Sequence, residues 1–381
     1  MYNMQEGSVV KVARLENIGI LVNDDSVLGG YFLAKKVPSG CKVIDNRVDN
    51  KKRLNAPIYL DVYPSFLCNF RCSFCYLKLL GINLADSKQM SDETIDKTIK
   101  MCEDRGISTI NILGGEPLHP LTWPTTRKLI ERAHEKGIRA DVTTNGYFLT
   151  EEIVNFMNKN GTKLNLSLHS LQSNNSKEIL GLDPSQRLKD IILNIVDGKI
   201  NYGLTTAILK TNINEIDQLI DFVNSLSTCG AWVWRYVTVF GNFDKSTLYS
   251  TKEFFELYKR YKDQIKKNVY FDGPFSYKYL NIKPLETEFD AVLSPCCNPG
   301  ESKAEIMPDG TVYSCVLFYG DNDQIMGNVS TEVNFTKSYG YKKVSCSNSL
   351  CSYNKYCTGC PAYANRIGVK FDDRCEYAQR I

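Results

Sequence analysis

Three cysteines in the first fifth of the chain have a spacing that suits a metal cluster. Cys68, Cys72 and Cys75 form a C-x3-C-x2-C run directly after an apolar, strand-like segment, Pro57–Tyr63. Three thiolates on one short loop can ligate three irons of a cubane [4Fe–4S] cluster, which leaves the fourth iron without a protein ligand. Zinc usually takes four protein ligands at a structural site, or a set that includes His or a carboxylate at a catalytic site, and this loop contains neither residue type. The spacing therefore predicts a cluster whose open iron can hold a substrate or cofactor.

A second motif follows the next predicted strand, 108–113. It consists of Gly114, Gly115, Glu116 and Pro117. The cysteine run, with Phe74 as the aromatic residue before its last cysteine, resembles the cluster loop of the radical S-adenosylmethionine (radical SAM) superfamily. The second motif resembles the GGEP segment of that family. Two glycines alone would indicate only a turn, but the two motifs together, each directly after a strand, make the resemblance specific.

The resemblance implies a cofactor and a chemistry. The open iron would chelate the amino and carboxylate groups of S-adenosylmethionine (SAM), and Phe74 and the GGEP segment would contact this cofactor. One electron, from a reductant such as flavodoxin or ferredoxin, would cleave SAM to methionine and a 5′-deoxyadenosyl radical. That radical would remove a hydrogen atom from an unactivated C–H bond of the substrate.

The elements that must position these motifs follow from the hydrophobic pattern. Short β-branched segments alternate with longer amphipathic ones, which is typical of a parallel α/β domain. The predicted strands are 57–63, 108–113, 138–144, 163–169, 203–209 and 231–239. The predicted helices begin after the N-cap Ser91 and near residues 123, 150, 184, 214 and 251. Six such units predict a partial (β/α)6 TIM-like barrel, whose active site lies at the C-terminal ends of the strands, where both motifs fall.

Other strand ends supply further candidates for SAM binding. Asn145 and Ser167 follow or end two strands and would contact the ribose or the methionyl group, or serve only in turns. Arg235 shares a strand face with two valines and needs an anionic partner, either the SAM carboxylate or a strand-end acid. Glu116 would accept a hydrogen bond from the methionyl ammonium, or simply end its strand. The sequence identifies no general acid or base.

The composition agrees with an enzyme outside the membrane. The chain has 381 residues, of which 43% are hydrophobic, and a net charge of +3, with no dense Lys/Arg patch that would predict nucleic acid binding. No apolar run approaches the roughly 18 residues of a membrane span, and Met1–Val10 lacks a signal-peptide pattern. Fourteen cysteines without an export signal predict metal-bound thiolates in a reducing cytoplasm.

The last third of the chain predicts a separate, loop-rich domain, because eight cysteines fall within 80 residues. They are Cys296, Cys297, Cys315, Cys346, Cys351, Cys357, Cys360 and Cys375. Their order resembles the SPASM extension of radical SAM enzymes that modify peptides and proteins, with the pattern C-x9-15-G-x4-C, then C-x2-C-x5-C-x3-C, then C. The Gly310-x4-Cys315 segment and the x5 interval fit this pattern. The intervals x4 in place of x2 and x2 in place of x3 depart from it, which weakens individual ligand assignments.

Eight thiolates suffice for two auxiliary [4Fe–4S] clusters with four ligands each. By resemblance, the inner cluster would use Cys315, Cys360 and Cys297, with Cys296 as a further candidate. The outer cluster would use Cys346, Cys351, Cys357 and Cys375. If only one of the adjacent pair binds, the inner cluster has an open iron. One or two zinc ribbons are the alternative, which the iron–sulfur motif of the first domain disfavours. We predict that the three remaining cysteines pack in the protein interior; they are Cys41, Cys102 and Cys229.

The predicted domain order is an N-terminal β appendage (1–56), the radical SAM partial barrel (57–240), a bridging region (241–290) and the SPASM domain (291–381). Within the appendage, Ser8–Leu15 and Ile18–Asn23 predict a hairpin, and Tyr31–Lys35 a third strand. The appendage would either dock a peptide or cap the barrel.

The favoured function is a maturase that acts on a ribosomally synthesised peptide, giving a C–S, C–C or C–O crosslink or an epimerisation. This substrate assignment rests on the SPASM resemblance alone. The alternative enzymes are a sulfatase-maturing oxidase of Cys or Ser and an oxidase of a small metabolite. A non-catalytic iron–sulfur or zinc protein is the alternative from another class, which the intact GGEP segment disfavours.

Overall fold

The computed structural model describes residues 9–15, 19–23, 31–34, 42–45, 56–57, 59–241, 243–272, 303–335, 359–369 and 372–375, and before residue 56 only the backbone. Six cysteines with assigned roles lie outside these residues. They are Cys41, Cys296, Cys297, Cys346, Cys351 and Cys357. Among the described helices, none combines the length and the hydropathy that a membrane span requires.

The N-terminal strands form a small sheet of their own. They are β1 (Val9–Leu15), β2 (Gly19–Asn23), β3 (Tyr31–Ala34) and β4 (Lys42–Asp45). Their order is β3-β2-β1-β4, with antiparallel pairs except for the parallel pair of β1 and β4. The predicted hairpin and third strand are confirmed, whereas the sequence analysis does not predict β4.

The second sheet carries both motifs. Its strands are β5 (Tyr59–Val62), β6 (Thr109–Ile112), β7 (Arg139–Thr144), β8 (Leu164–Ser167), β9 (Tyr202–Ala207), β10 (Cys229–Arg235), β11 (Asn268–Asp272), β12 (Lys303–Ile306), β13 (Thr311–Tyr313) and β14 (Ile325–Asn328). The strand order is β11-β10-β9-β8-β7-β6-β5-β12-β13-β14, and every pair from β11 to β12 is parallel. This mostly parallel sheet confirms the predicted α/β, partial-barrel fold.

The described sheet has two more parallel strands than the six that the sequence predicts. One is β11, which falls in the predicted bridging region and pairs with β10. The other is β12, which falls in the predicted C-terminal domain and pairs with β5. The first strand of the C-terminal segment is therefore part of the barrel sheet, next to the strand that leads into the cysteine loop.

Most of the described helices pack against the apolar face of this sheet. They are α1 (Tyr76–Leu79), α2 (Asp92–Arg105), α3 (Trp123–Glu135), α4 (Glu151–Lys159), α5 (Ser173–Leu180), α6 (Ser185–Ile191), α7 (Ile216–Ser225), α8 (Thr251–Tyr261) and α9 (Pro361–Ile367). A π-helical turn, Ile192–Val196, extends α6. The sequence analysis does not predict α1, α5 or α9.

The two faces of each strand differ in polarity. Outward-facing residues such as Leu60, Ile110 and Val142 are completely buried in the core against the helices. The inner face is polar: Asp61 accepts hydrogen bonds from Asn111 and Lys303, both at 2.8 Å. Because these side chains bond to one another across the strands, the barrel interior can hold polar groups without leaving them unsatisfied.

The predicted N-cap of α2 is confirmed, since the Ser91 hydroxyl accepts a hydrogen bond from the Thr94 amide at 3.1 Å. We expect Ser91→Ala to lower the free energy of unfolding by about 1 kcal/mol, because that amide loses its partner. Ser91→Asp keeps an acceptor and is expected to stay within about 0.5 kcal/mol of wild type. Urea denaturation of the three proteins measures the difference, and equal loss in both variants would contradict the capping role.

Candidate active site

The cysteine loop is fixed by backbone hydrogen bonds to a helix end and to a neighbouring loop. The amides of Arg71 and Ser73 donate to the carbonyls of Leu180 and Ile179, at 3.0 and 2.8 Å. These two carbonyls belong to the last turn of α5, and the Cys68 amide donates to another loop carbonyl. These backbone hydrogen bonds fix the conformation of the loop that carries the three cysteines.

The three thiols are free, half-buried and close enough to influence one another electrostatically. Burial raises the pKa of Cys68 to about 12 and also raises the pKa of Cys72 and Cys75. For Cys72, the neighbouring thiols Cys75 and Cys68 raise the pKa further. Deprotonating three such thiols needs a shared positive partner, which a metal centre supplies.

The donor set fits an iron–sulfur cluster better than one metal ion. Within the described residues, no three His, Cys, Asp or Glu side chains are close enough to hold a single ion. A cubane cluster places its thiolate ligands on separate iron atoms, so three cysteines spread over one loop can reach it. Cys68, Cys72 and Cys75 would hold this [4Fe–4S] cluster.

The GGEP segment lies directly against the chain that enters the cysteine loop. The Gly115 amide donates to the Ser65 carbonyl at 3.1 Å, and the Glu116 amide to the Leu67 carbonyl at 2.7 Å. A Cβ atom on Gly115 would lie 2.1 Å from the Leu67 carbonyl oxygen, and Gly114 has a φ of +141°. Only glycine permits this approach, so the second motif positions the first.

Glu116 is buried and joins the ends of two strands. One carboxylate oxygen accepts from the Thr144 hydroxyl at 2.5 Å and from the Leu118 amide at 2.9 Å, and the other accepts from the Asn145 amide at 2.8 Å. Burial raises the pKa of Glu116 to about 7, and the three hydrogen bonds oppose this shift. A buried carboxylate of this kind gains from a further hydrogen-bond donor, and the methionyl amino group of SAM would supply one.

Asn145 connects the third strand end to the cysteine loop. Its side-chain amide donates to the Asn69 carbonyl oxygen at 2.9 Å, and its own carbonyl oxygen accepts from the Tyr147 amide at 3.0 Å. The Pro117 carbonyl accepts from the Thr126 hydroxyl at 2.8 Å, which anchors the GGEP segment on α3. Asn145 and Pro117 therefore have positioning contacts, and their contact with SAM stays a prediction.

Phe74, Ser167 and Arg235 border the same region. The Phe74 ring packs edge-to-face on the buried His169, with ring centres 5.1 Å apart. Ser167 ends β8 two residues before His169 and is partly exposed. Burial, together with the smaller influence of the Arg235 guanidinium, lowers the pKa of His169 to about 3. The Arg235 guanidinium also opposes the rise that burial causes in the pKa of Tyr76, the residue after Cys75, so its charge acts at the end of the cysteine loop.

Three residues that hold this site in place are missing from the sequence prediction. They are Asn69, Thr144 and His169, whose partners lie 76, 28 and 38 positions away along the chain. His169 accepts a hydrogen bond from the Ala207 amide through Nδ1, at 3.0 Å, so the imidazole is held on β9. The only local signal for all three is their place in the cysteine loop or at a strand end.

We expect Glu116→Gln to weaken SAM binding and to change its pH dependence. In the wild type the carboxylate has a pKa of about 7, so binding should tighten by about tenfold between one unit below and one unit above that value, as it ionises. The glutamine variant should lack this pH-dependent tightening of SAM binding. Its side chain would also leave the Asn145 amide facing an NH2 group. Equilibrium dialysis with SAM at several pH values measures both, and identical pH profiles would contradict the ammonium-binding role.

Two of the C-terminal cysteines are brought close to the cysteine loop. Cys315 and Cys360 pack against the same apolar cluster as Cys68 and Cys75. The Arg366 guanidinium, six residues along the chain from Cys360, donates to the Leu317 carbonyl at 2.5 Å and also to the Tyr319 carbonyl. Because these carbonyls lie two and four residues after Cys315, two of the cysteines predicted for the inner auxiliary cluster share one region.

The other described cysteines are buried. Cys102 and Cys229 lie in the main hydrophobic core, in agreement with the predicted packing roles. Cys375, a predicted ligand of the outer cluster, is 8% exposed and borders the same core.

Comparisons with known proteins agree with this geometry. Residues 62–223 match the family described as the radical SAM superfamily. GTP 3′,8-cyclase of Campylobacter fetus is 27% identical over 299 residues, which cover 70% of this chain and 82% of the relative. The Streptococcus suis SuiB structure bound to precursor peptide SuiA superposes with a TM-score of 0.69 at 22% identity, over 86% of this chain and 77% of that one. The anSMEcpe structure with bound AdoMet gives 0.58 at 17% identity, over 80% and 89%.

The matched segment begins in β5, ends in α7 and contains both motifs. The cysteine loop, the GGEP segment and the parallel sheet that brings them together are thus the shared part of the molecule. Residues 62–223 of the chain are a radical SAM domain.

Proposed function

We propose that this enzyme modifies a ribosomally synthesised peptide and that its C-terminal segment is a SPASM domain with two auxiliary [4Fe–4S] clusters. The observation that carries the proposal is the convergence of Cys315 and Cys360 on the apolar cluster that also contacts Cys68 and Cys75. A second iron–sulfur centre there would be close to the substrate radical. The likeness to the peptide-bound SuiB structure over 86% of the chain supports a peptide substrate.

Different residues of the chain would contact different groups of SAM. When bound, SAM and its cluster supply the radical that removes a hydrogen atom from the substrate. Glu116 would orient the methionyl ammonium, and Arg235 would pair with the carboxylate. Asn145 and Ser167 would contact the ribose or the methionyl group, and Phe74, packed on the buried His169, would exclude water on one side. A one-electron donor such as flavodoxin or ferredoxin in a reducing cytoplasm would start each turnover.

Cys315 and Cys360 would hold an auxiliary cluster that supplies an electron acceptor, and this acceptor would decide the kind of product. With it beside the substrate radical, the substrate would lose a hydrogen atom, an electron and a proton, and a new bond would form with net loss of two hydrogens. If no electron leaves, return of a hydrogen atom gives the epimer. The inner cluster, with Cys297 and Cys296 as further candidates beside Cys315 and Cys360, would accept the electron first. Cys346, Cys351, Cys357 and Cys375 would bind the outer one.

Coexpression tests the proposal. The enzyme would be expressed anaerobically with short peptides encoded next to its gene, and each peptide would be examined by mass spectrometry. We expect one peptide to lose two hydrogens or, for epimerisation, to gain deuterium from solvent at one carbon. Unmodified peptides, together with SAM cleavage that they do not stimulate, would contradict the proposal.

A second candidate is nucleotide cyclisation, because the curated relatives that match this chain are GTP 3′,8-cyclases at 24–29% identity. The polar inner face of the barrel is compatible with a nucleotide. Incubation of the reduced enzyme with SAM and GTP separates the two candidates. Consumption of GTP in step with 5′-deoxyadenosine formation would favour the cyclase, and SAM cleavage unaffected by GTP would favour the peptide enzyme. A sulfatase-maturing oxidase of Cys or Ser in a protein, or an oxidase of a small metabolite, would be recognised by neither assay.

A further inference from the structure

A buried ion pair lies beside one of the C-terminal cysteines. Arg374 donates twice to Asp372, from Nε at 2.8 Å and from Nη2 at 2.6 Å. The side chains of Arg374 and Asp372 are only 9% and 2% exposed. A buried pair of this kind is weak evidence for stability, because removing both charges from water costs about as much as their attraction returns. Stability alone therefore does not explain the pair, which points to a role in positioning its neighbours or in the electrostatics around them.

The pair connects three parts of the molecule. Asp372 accepts a hydrogen bond from the Cys360 amide at 2.8 Å, and Arg374 donates to the Thr238 hydroxyl at 2.7 Å. Thr238 lies three residues after Arg235 at the end of β10. The Arg374 carbonyl also accepts from the Thr251 hydroxyl, at the first residue of α8, at 2.9 Å.

The packing around the pair leaves it little freedom. A Cβ atom on Gly359 would lie 2.7 Å from the Asp372 Cβ, so the chain before Cys360 touches the aspartate closely. The Arg374 guanidinium stacks 3.9 Å above the centre of the Tyr363 ring in α9. The Cys360 sulfur in turn accepts a hydrogen bond from the Tyr363 amide. A shift of either charged group would therefore move Cys360.

Both charges act on the Cys360 thiol. Burial raises its pKa, the Arg374 guanidinium opposes this shift, and the Asp372 carboxylate adds to it. The two charges therefore act on the sulfur in opposite directions. The pair also stands next to Cys375 in sequence, so it bridges predicted ligands of both auxiliary clusters.

We infer that Asp372 and Arg374 are positioning residues for the auxiliary cluster that Cys360 would bind: they fix it against the barrel strand that carries Arg235 and balance the charge beside it. This inference rests on the proposed auxiliary clusters. It extends the proposal to the residues that set the place and the reduction potential of the electron acceptor.

The charge balance predicts opposite effects for two substitutions. Arg374→Gln leaves Asp372 unpaired, and the added negative charge favours the oxidised cluster. Asp372→Asn leaves Arg374 unpaired, and the added positive charge favours the reduced cluster. Each is expected to change the reduced-to-oxidised ratio at a fixed potential by about tenfold, which is about 59 mV for one electron. The double variant and Arg374→Lys should stay near the wild-type ratio.

Redox titration followed by electron paramagnetic resonance tests this expectation. All variants would be made in the Cys68→Ala/Cys72→Ala/Cys75→Ala background, so that only auxiliary clusters contribute to the signal, and iron would be quantified in each. Arg127→Gln is the matched control, because Arg127 also stacks on a ring and pairs with a carboxylate, but on the outer surface of α3. It should change neither iron content nor potential.

Opposite shifts in the two single variants would support the inference. Loss of about four irons in both single variants, with retention in Arg374→Lys and in the double variant, would support it through the positioning role. Unchanged potentials with full iron, or shifts in the same direction, would overturn the inference while the proposed clusters stand. Absence of any auxiliary iron from the parent would overturn the proposed clusters and the inference together.

Discussion

Replacing Cys68, Cys72 and Cys75 together by alanine is expected to abolish SAM cleavage and to remove one cluster out of three. After anaerobic reconstitution, the wild type should contain about twelve irons and the triple variant about eight, since each cubane holds four. The loop presents three half-buried thiols whose pKa values are raised by burial, so their deprotonation as ligands needs a shared positive centre. Without that centre, SAM has no iron to bind.

Iron and sulfide analysis, with 5′-deoxyadenosine measured by chromatography, checks this result. Cys102→Ala/Cys229→Ala is the matched control, because both cysteines are buried in the apolar core, away from the cysteine loop. This double variant should keep all its iron and full SAM cleavage and lose about 1 kcal/mol of stability per site. About four irons in the wild type and none in the triple variant would show that the C-terminal cysteines bind no clusters, and the peptide proposal would then lose its support.

The parallel strands that could be predicted from the sequence are those with two unlike faces. Leu60 and Val62 alternate with Asp61 in β5, and this period of two identifies the strand. The strand β12 escapes the same analysis, although it pairs with β5. Its inner face carries Lys303 and Glu305, which look like surface residues until their ion pair at 2.8 Å is seen.

The other missed elements have weak local signals as well. The strand β11 has five residues and follows a lysine-rich segment, so its pattern is too short to stand out. The helix α5 begins with serines and asparagines, which favour turns and caps over helix interiors. Its last turn nevertheless supplies the carbonyls that hold Arg71 and Ser73 in the cysteine loop. Tertiary packing, which no local pattern contains, decides these elements.

The candidate site likewise has a part that local sequence predicts and a part that depends on tertiary contacts. The cysteine run and the GGEP segment are contiguous motifs, so their chemistry could be predicted from residue type and spacing. The hydrogen bond from Thr144 to Glu116 and the one from Asn145 to Asn69 join residues on different strands and loops. Such contacts depend on strand register, and a single sequence does not contain the register.

Gly115→Ala is expected to lower SAM cleavage by about 100-fold or more. The substitution adds only one methyl group, on a residue that is far along the chain from the three cluster cysteines. The new Cβ would lie 2.1 Å from the Leu67 carbonyl oxygen and 2.3 Å from that of Phe66. Both contacts are with backbone, which cannot rotate away, so the chain that leads into Cys68 must move. Glu116 would move with it, because its amide donates to the Leu67 carbonyl at 2.7 Å. One displacement therefore disturbs both the cluster loop and the predicted ammonium partner of SAM.

The matched control is Gly81→Ala, in the loop that follows α1. Gly81 has a φ of +77°, so alanine there is strained by about 1 kcal/mol, but no atom lies within 4 Å of the added Cβ. This variant should keep its iron and its SAM cleavage rate. Reconstitution of both variants, with iron content, SAM affinity and 5′-deoxyadenosine formation measured side by side, separates a local collision from general loss of stability. If Gly115→Ala cleaves SAM at the wild-type rate, the GGEP segment does not position the cysteine loop. If both variants lose cleavage equally, the loss comes from adding a methyl group to any glycine in this region and not from the collision at Gly115.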